Sequence, residues 1–391
     1  MKKQKVCVVS GSRADYGLLK NLIGLLHIDK SFELKIAVTG PHLSPIWGET
    51  YLEIEKDGFK IDAKIETLLS SDTNVGMAKA LGLGVLSFTD YFSQNLPDFI
   101  IVLGDRFEIL AAAQAAYCLK IPVVHLHGGE VTSGALDDYF RHAITKLAHL
   151  HFVAHESYAK RVVQMGEQPN SVFLSGALGI DEIARVKKFS KTELEKRLSI
   201  PSLKQYFLIT YHPATLSIQN YKEEQKIVKN ICSALKEYKD YHCIVSLANA
   251  DPRGYSINDT WKAEAQKSDR IKLYYHFGSE LYLNVLANCS MVIGNSSSAI
   301  LEAPYYHVPT INIGSRQDGR FHCSTIINCS GTSSDLKKAI AQAHDKAWVQ
   351  KKVVNCPHPF GKPGTVAKTI MSKLKQIDFS KLEYKKFYDI K

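Results

Sequence analysis

The stretch Val6-Cys7-Val8-Val9-Ser10-Gly11-Ser12-Arg13-Ala14-Asp15-Tyr16-Gly17, followed by Leu18, Leu19, Leu22 and Ile23, decides the fold. A run of apolar, β-branched residues short enough for a buried strand gives way to a Gly-Ser turn, and then to apolar residues at helical spacing. The same unit recurs along the chain. Strand-like runs stand at residues 6–10, 34–39, 99–103, 123–126, 151–153 and 172–174, with amphipathic segments between them. After the polar, lysine-rich stretch 185–204 the succession starts again at 206–210, 242–246, 271–275, 291–293 and 310–313. A β-α-β succession builds a parallel sheet covered on both faces. Two such series predict an α/β protein with two parallel sheets.

The 391 residues suit two cores rather than one. Gly176, Gly179 and Asp181 close the first series, which places the domains at 1–180 and 181–363. A last helix pattern follows Pro357, Pro359 and Pro363, and the segment 364–391 is expected to cross back onto the first domain.

At 45% hydrophobic and 23% charged residues the composition is globular, which excludes disorder and a coiled coil. No apolar run reaches the ~18 residues of a membrane span. Met-Lys-Lys-Gln-Lys leads straight into the first strand, so neither a secretory leader nor a membrane partner is expected. The surplus of 49 Lys and Arg over 39 Asp and Glu calls for an anionic partner. Pairs such as Lys187-Lys188 and Lys351-Lys352 are scattered, and no RRM, KH or zinc-finger pattern accompanies them, so nucleic acid is not expected. Eight cysteines without a CxxC spacing read as free thiols in a reducing, cytoplasmic setting.

Open parallel sheets bind ligands at the carboxyl ends of their strands, so the residues there carry the chemistry. After the first strand, Gly11 and Ser12 expose N–H groups at a helix start and Arg13 adds a fork-shaped cation, an anion site or a plain connection. Asp105 and Arg106 follow the run 99–103; Asp105 is either a ligand-facing acid or the N-cap of the next helix. His125 and His127 stand two apart, as a metal pair on one strand face or as packing residues. Asp137 and Arg141, like Asp138 and His142, are spaced to pair along a helix. In the second half, His212 follows the run 206–210. Ser296, Ser297 and Ser298 follow 291–293 as a diphosphate cradle or a simple cap, with Glu302 placed to accept hydrogen bonds from a ribose.

The segments GSRADYG (11–17), GDRFE (104–108), HLHGGE (125–130), DDYFRHAITKLAHLHF (137–152), YHPAT (211–215), IGNSSSAILEAP (293–304) and INIGSRQDGR (311–320) resemble, in order and over nearly the whole chain, one family. It is that of the hydrolysing UDP-N-acetylglucosamine 2-epimerases of bacterial sialic acid synthesis. The resemblance implies two Rossmann-like domains of glycosyltransferase B-like architecture with a cleft between them, sugar chemistry in the first and nucleotide binding in the second. It implies Arg13, Arg106, Arg141, Asn249, Ser296, Ser297, Glu302 and Arg316 as substrate contacts. Asp105, His127, Glu130, Asp137 and His212 become the catalytic set, with His127 standing where many relatives carry a glutamate. It implies no cofactor, no metal, and a homodimer or homotetramer.

The chemistry implied is conversion of UDP-N-acetylglucosamine and water to N-acetylmannosamine and UDP. The hydrogen on carbon 2 is not next to a carbonyl, so loss of the diphosphate from carbon 1 must lead. A carboxylate then removes the carbon-2 proton, and water adds to the resulting acetamidoglucal with the new proton on the other face. The same motifs suit a GDP-linked or a 2,4-diacetamido sugar of legionaminic acid synthesis, because they read phosphate and ribose rather than base or carbon 4. A nucleotide-sugar glycosyltransferase shares the architecture but needs an acceptor.

Overall fold

The computed structural model describes residues 3–69, 73–132, 136–212, 221–248, 252–275, 277–382 and 385–390. These form two compact units, one drawn from 1–131, 136–182 and 360–391, the other mainly from 183–359.

The first unit holds a seven-stranded sheet of β1 (Gln4–Ser10), β2 (Phe32–Thr39), β3 (Ala63–Ile65), β4 (Phe99–Leu103), β5 (Val123–Leu126), β6 (Leu150–Val153) and β7 (Val172–Leu174). The order is β3-β2-β1-β4-β5-β6-β7, and every pairing is parallel. The order reverses between β1 and β4. One face is covered by the helices Arg13–Ile28 and Val366–Leu374, whose Leu19, Leu22, Ile23, Ile370 and Leu374 are fully or almost fully buried against Val6, Val8 and Phe99. The helices Asn74–Asn95 and Phe107–Cys118 cover the other, where Ala111, Ala112, Ala113, Ala115 and Ala116 show no exposure. Small residues let these two helices meet closely: a Cβ on Gly84 would stand 2.8 Å from that of Ala111.

The second unit holds β8 (Tyr206–Thr210), β9 (His242–Ser246), β10 (Ile271–Tyr274), β11 (Met291–Gly294), β12 (Thr310–Ile313) and β13 (Ile326–Cys329) in the order β10-β9-β8-β11-β12-β13, again all parallel. Its reversal lies between β8 and β11. Both sheets are therefore doubly wound. The edge strands β3 and β13 were not foreseen. Each is three or four residues long and mostly part-exposed, so neither shows the apolar run of its neighbours.

The helix Val366–Leu374 packs in the first unit, and its start is fixed by a distant residue. Asp181 accepts the backbone N–H groups of Val366 and Ala367 at 2.9 and 2.7 Å, while Thr365 at the N-cap makes no side-chain capping bond. Where the chain returns, Gly176 at φ +90° passes so near Phe360 that a Cβ would lie 2.4 Å from its carbonyl oxygen. Further on, Lys385 meets buried Glu167 at 2.7 Å, and the Tyr388 N–H bonds to the Gly166 carbonyl. His151 and Lys146 also bond to Glu167. Burial would raise its pKa, but these partners outweigh it and hold the carboxyl at about 2.

All eight cysteines are free thiols; Cys7, Cys243 and Cys289 are buried, whereas Cys118 is exposed at a helix end. No described helix is long and apolar enough to cross a membrane.

Candidate functional site

In each sheet the residues singled out by the sequence gather at the switch point, where two neighbouring strand ends send their connections to opposite faces. In the first unit this is the end of β1 beside that of β4. Ser12 caps the helix Arg13–Ile28 by accepting the Asp15 N–H at 3.3 Å, so Arg13 stands on its first turn. The Arg13 Nε meets the Glu53 carboxylate at 2.9 Å. After β4, Arg106 occupies the N-cap position of the helix Phe107–Cys118, and its Nε bonds to Glu108 at 2.5 Å.

Asp105 does not cap that helix. Its carboxylate instead pairs with the Nη2 of Arg141. Arg141 is 3% exposed and also donates to the Glu130 carbonyl at 3.0 Å and to Asp138 at 3.4 Å. The expected Asp137–Arg141 pairing along the helix Leu136–Leu147 is thus replaced by Asp138–Arg141; Asp138 also approaches His142 at 3.6 Å. Arg141 ties three acidic or carbonyl groups together and is spent on them. Asp137 lies at the surface, yet partial burial of its carboxyl raises its pKa above the ordinary aspartate range, opposed by the nearby Arg106.

His125 and His127 do not make a metal pair. Burial pushes the pKa of His125 down to about 3, so the ring is neutral; its Nε2–H donates to the Gly104 carbonyl at 2.8 Å and its Nδ1 meets the Thr145 hydroxyl at 3.2 Å. His127 lies past the end of β5 at φ +64°, which breaks the strand alternation. Its Nε2 accepts the Leu178 N–H at 3.1 Å, which assigns the ring proton to Nδ1, and this donates to Glu130 at 2.9 Å. Both ring nitrogens are taken. Glu130 is 5% exposed, so the pair forms a buried, oriented unit. Among the described residues no three His, Cys, Asp or Glu side chains converge as metal ligands do.

In the second unit β11 ends in Gly294, at φ +149°, where a Cβ would lie 2.1 Å from the Thr210 carbonyl oxygen of β8. A residue with a side chain does not fit there. Next to it the buried Asn295 brackets His212, accepting its N–H and donating to its carbonyl, both at 2.8 Å. The Asn295 carbonyl in turn accepts from Arg316 and Gln317 at 2.9 and 2.8 Å. Burial, then Arg316, lower the pKa of His212 to about 4, so it stays neutral near pH 7. Ser296 and Ser297 open the short helix Ser297–Leu301, and Glu302 ends it rather than lying inside it, with its carboxylate accepting from the Ser298 hydroxyl at 2.5 Å. Asn249 and the residues Pro213 to Thr215 lie outside the described residues.

Sequence reasoning missed Asn295, Glu53, Glu108, Asp15 and His42. Asp15 is 8% exposed beside Arg106 and Glu108, and burial pushes its pKa up to about 6. His42 is fully buried, its two ring nitrogens 2.9 Å from Ser10 and Thr50. The signal for Glu108 was an acid where an apolar core-facing residue was due, one position after Phe107.

Two doubly wound parallel sheets, each with polar groups gathered at its switch point, define an α/β protein of two Rossmann-like domains. The solved structure of the UDP-N-acetylglucosamine 2-epimerase of Neisseria meningitidis, bound to UDP-N-acetylglucosamine, has this glycosyltransferase B-like fold. It superposes with a TM-score of 0.81 at 19% identity, over 96% of this chain and 100% of that one. The model of the family described as UDP-N-acetylglucosamine 2-epimerase matches residues 25–375, and the chain belongs to that family. It is 40% identical, over the full length of both chains, to the GDP/UDP-N,N'-diacetylbacillosamine 2-epimerase (hydrolyzing) of Campylobacter jejuni. It is 36% identical to the UDP-N,N'-diacetylbacillosamine 2-epimerase (hydrolyzing) of Legionella pneumophila, over 90% of this chain and 92% of that one. Both names agree with the diacetamido-sugar alternative rather than with N-acetylglucosamine.

Proposed function

We propose that this chain is a hydrolysing 2-epimerase acting on a nucleotide-linked 2,4-diacetamido sugar, releasing the nucleoside diphosphate and the free 2-epimer. The observation that carries the reading is the 40% identity over the full length of both chains to a relative named for that reaction. The geometry supports the chemistry in two parts. Residues 181–363 offer neutral donors and one cation, namely Ser296, Ser297, His212 and Arg316, for the nucleotide diphosphate, with Glu302 for the ribose. Residues 1–180, with the returning segment 364–391, offer Arg13 and Arg106 as cations and Asp105 and Asp137 as acids.

In this reading the bond from carbon 1 to the diphosphate breaks first, with its electron pair leaving on the phosphate oxygen and the arginines neutralising the charge. Asp137 takes the carbon-2 proton. Burial raises its pKa above the ordinary aspartate range, which favours a carboxyl that takes up a proton. Asp105, oriented by Arg141, takes a proton from the water that adds to carbon 1 and passes one to carbon 2 from the other face, while Asp137 gives its proton up to solvent. His127 holds Glu130, and the two shape the pocket wall rather than exchange protons. Eight free thiols support a cytoplasmic setting. Size-exclusion chromatography tests the homodimer or homotetramer implied by the resemblance.

The deciding assay compares UDP-linked and GDP-linked diacetylbacillosamine with UDP-N-acetylglucosamine, without an acceptor and in deuterated water. The reading expects free sugar with deuterium on carbon 2 and the highest kcat/KM on a diacetamido substrate. The family description favours UDP-N-acetylglucosamine itself, and preference for it would replace the diacetamido reading. Product without deuterium would rule out elimination.

A further inference from the structure

Several arginines donate from their terminal nitrogens: Arg141 to Glu130 and Asp138, Arg161 to the Gly129 carbonyl, Arg270 to the Tyr238 and Tyr241 carbonyls, and Arg316 to the Asn295 carbonyl. The two arginines at the first switch point differ. Arg13 bonds to Glu53 and Arg106 to Glu108, each through Nε, and among the described residues neither donates a hydrogen bond from Nη1 or Nη2. A guanidinium has five N–H groups; one held at Nε leaves four in the planar fork that matches phosphate oxygens.

The setting of Glu108 is costly for a fold-only role. The side chain has no exposure; Oε1 serves Arg106, while Oε2 has no hydrogen-bond partner among the described residues. A buried carboxylate oxygen left unsatisfied destabilises a protein. Two glycines make the slot it sits in. A Cβ on Gly11 would lie 3.0 Å from the Glu108 Cγ, and one on Gly40, at φ +58°, 2.8 Å from its Oε1. The ends of β1 and β2 thus close on one carboxylate that grips one arginine. Glu53 comes from a separate helix, Tyr51–Lys56, and does the same for Arg13 from the surface.

We propose that Glu108 and Glu53 are positioning residues that hold Arg106 and Arg13 by Nε and so reserve both guanidinium forks for the diphosphate of a nucleoside diphosphate. The inference rests on the reading that these arginines meet the diphosphate of the nucleotide sugar, and it deepens that reading by naming what aims them.

The test is a pair of double-mutant cycles read by calorimetric titration with UDP, alongside KM and kcat for the preferred nucleotide sugar. Glu108→Ala should weaken UDP binding about tenfold and raise KM more than it lowers kcat, while Glu108→Gln, which keeps an accepting oxygen, should stay within about threefold. In an Arg106→Ala background, Glu108→Ala should change UDP affinity less than twofold. Glu53→Ala should behave likewise with Arg13→Ala, and this surface cycle decides the matter if Glu108→Ala does not fold. Equal losses with and without the arginine would overturn the proposal in favour of a role in the fold. Unchanged UDP affinity in the glutamate variants, with a loss in Arg106→Ala, would overturn it too. If Arg13→Ala and Arg106→Ala both leave UDP binding unchanged, the reading beneath it fails instead.

Discussion

The two switch points have the same topology and opposite chemistry. At the ends of β1, β4 and β5 stand ion pairs: Arg106 with Glu108, Arg13 with Glu53, Arg141 with Asp105 and Asp138, together with His127 held by Glu130. At the end of β8 and β11 stand neutral donors with one cation, Arg316, an asparagine bracket and a glycine that lets two backbones approach. Near the first switch point the carboxyls of Asp15 and Asp137 also have raised pKa values, as the proton transfer proposed above requires, whereas fixed dipoles suit an anion.

The sharpest way to break that contrast is Asp137→Asn. Turnover should fall about a thousandfold, in the range ascribed to a lost acid or base, with UDP affinity unchanged by calorimetry. Loss of UDP binding instead would make Asp137 a structural residue. Next in size, Gly294→Ala should destabilise the second unit by about 3 kcal/mol or more, since its Cβ has no place beside Thr210. Denaturant unfolding followed by hydrogen exchange should show β8 and β11 lost before β1 and β4.

Acid should separate the units as well. The Glu167 pKa, at about 2, lies below its unfolded value, so its ion pairs stabilise the fold above about pH 4.5 and are lost as pH falls toward 2, a change of about 2 to 3 kcal/mol. Over that window, exchange in 146–167 and 385–390 should rise further than in β8 and β11. The smallest effect is expected for Asn295→Ala, which frees the His212 backbone and should weaken UDP binding about tenfold while moving kcat little.

The central strands were legible because each is a continuous apolar run ended by glycine or a polar turn. Strands β4, β5, β7, β8, β9 and β12 begin and end where the sequence says. β3 and β13 were not: like β7 and β10 they are edge strands, but their short runs are broken by Lys64 and by Asn328. Asp105 shows where local reasoning stops. An aspartate two residues before a helix reads as a cap, but a buried arginine 36 residues away outbids the backbone amides for its carboxylate. Asn295 and Glu108 were visible as letters in recognised motifs. Their work, bracketing His212 and gripping Arg106, depends on strands that meet only in the folded sheet.

The carboxylate of Asp181 closes a helix that lies 185 residues further along the chain. While the protein is being made, every residue of the second unit must leave the ribosome before that helix exists. At about 5 to 20 residues per second this is a wait of roughly ten to forty seconds. During it the first sheet has its strands but lacks Val366, Ile370, Met371 and Leu374, and the apolar flank of the helix Arg13–Ile28 stays open to water. That flank is the apolar surface the nascent first domain leaves uncovered until its last helix arrives.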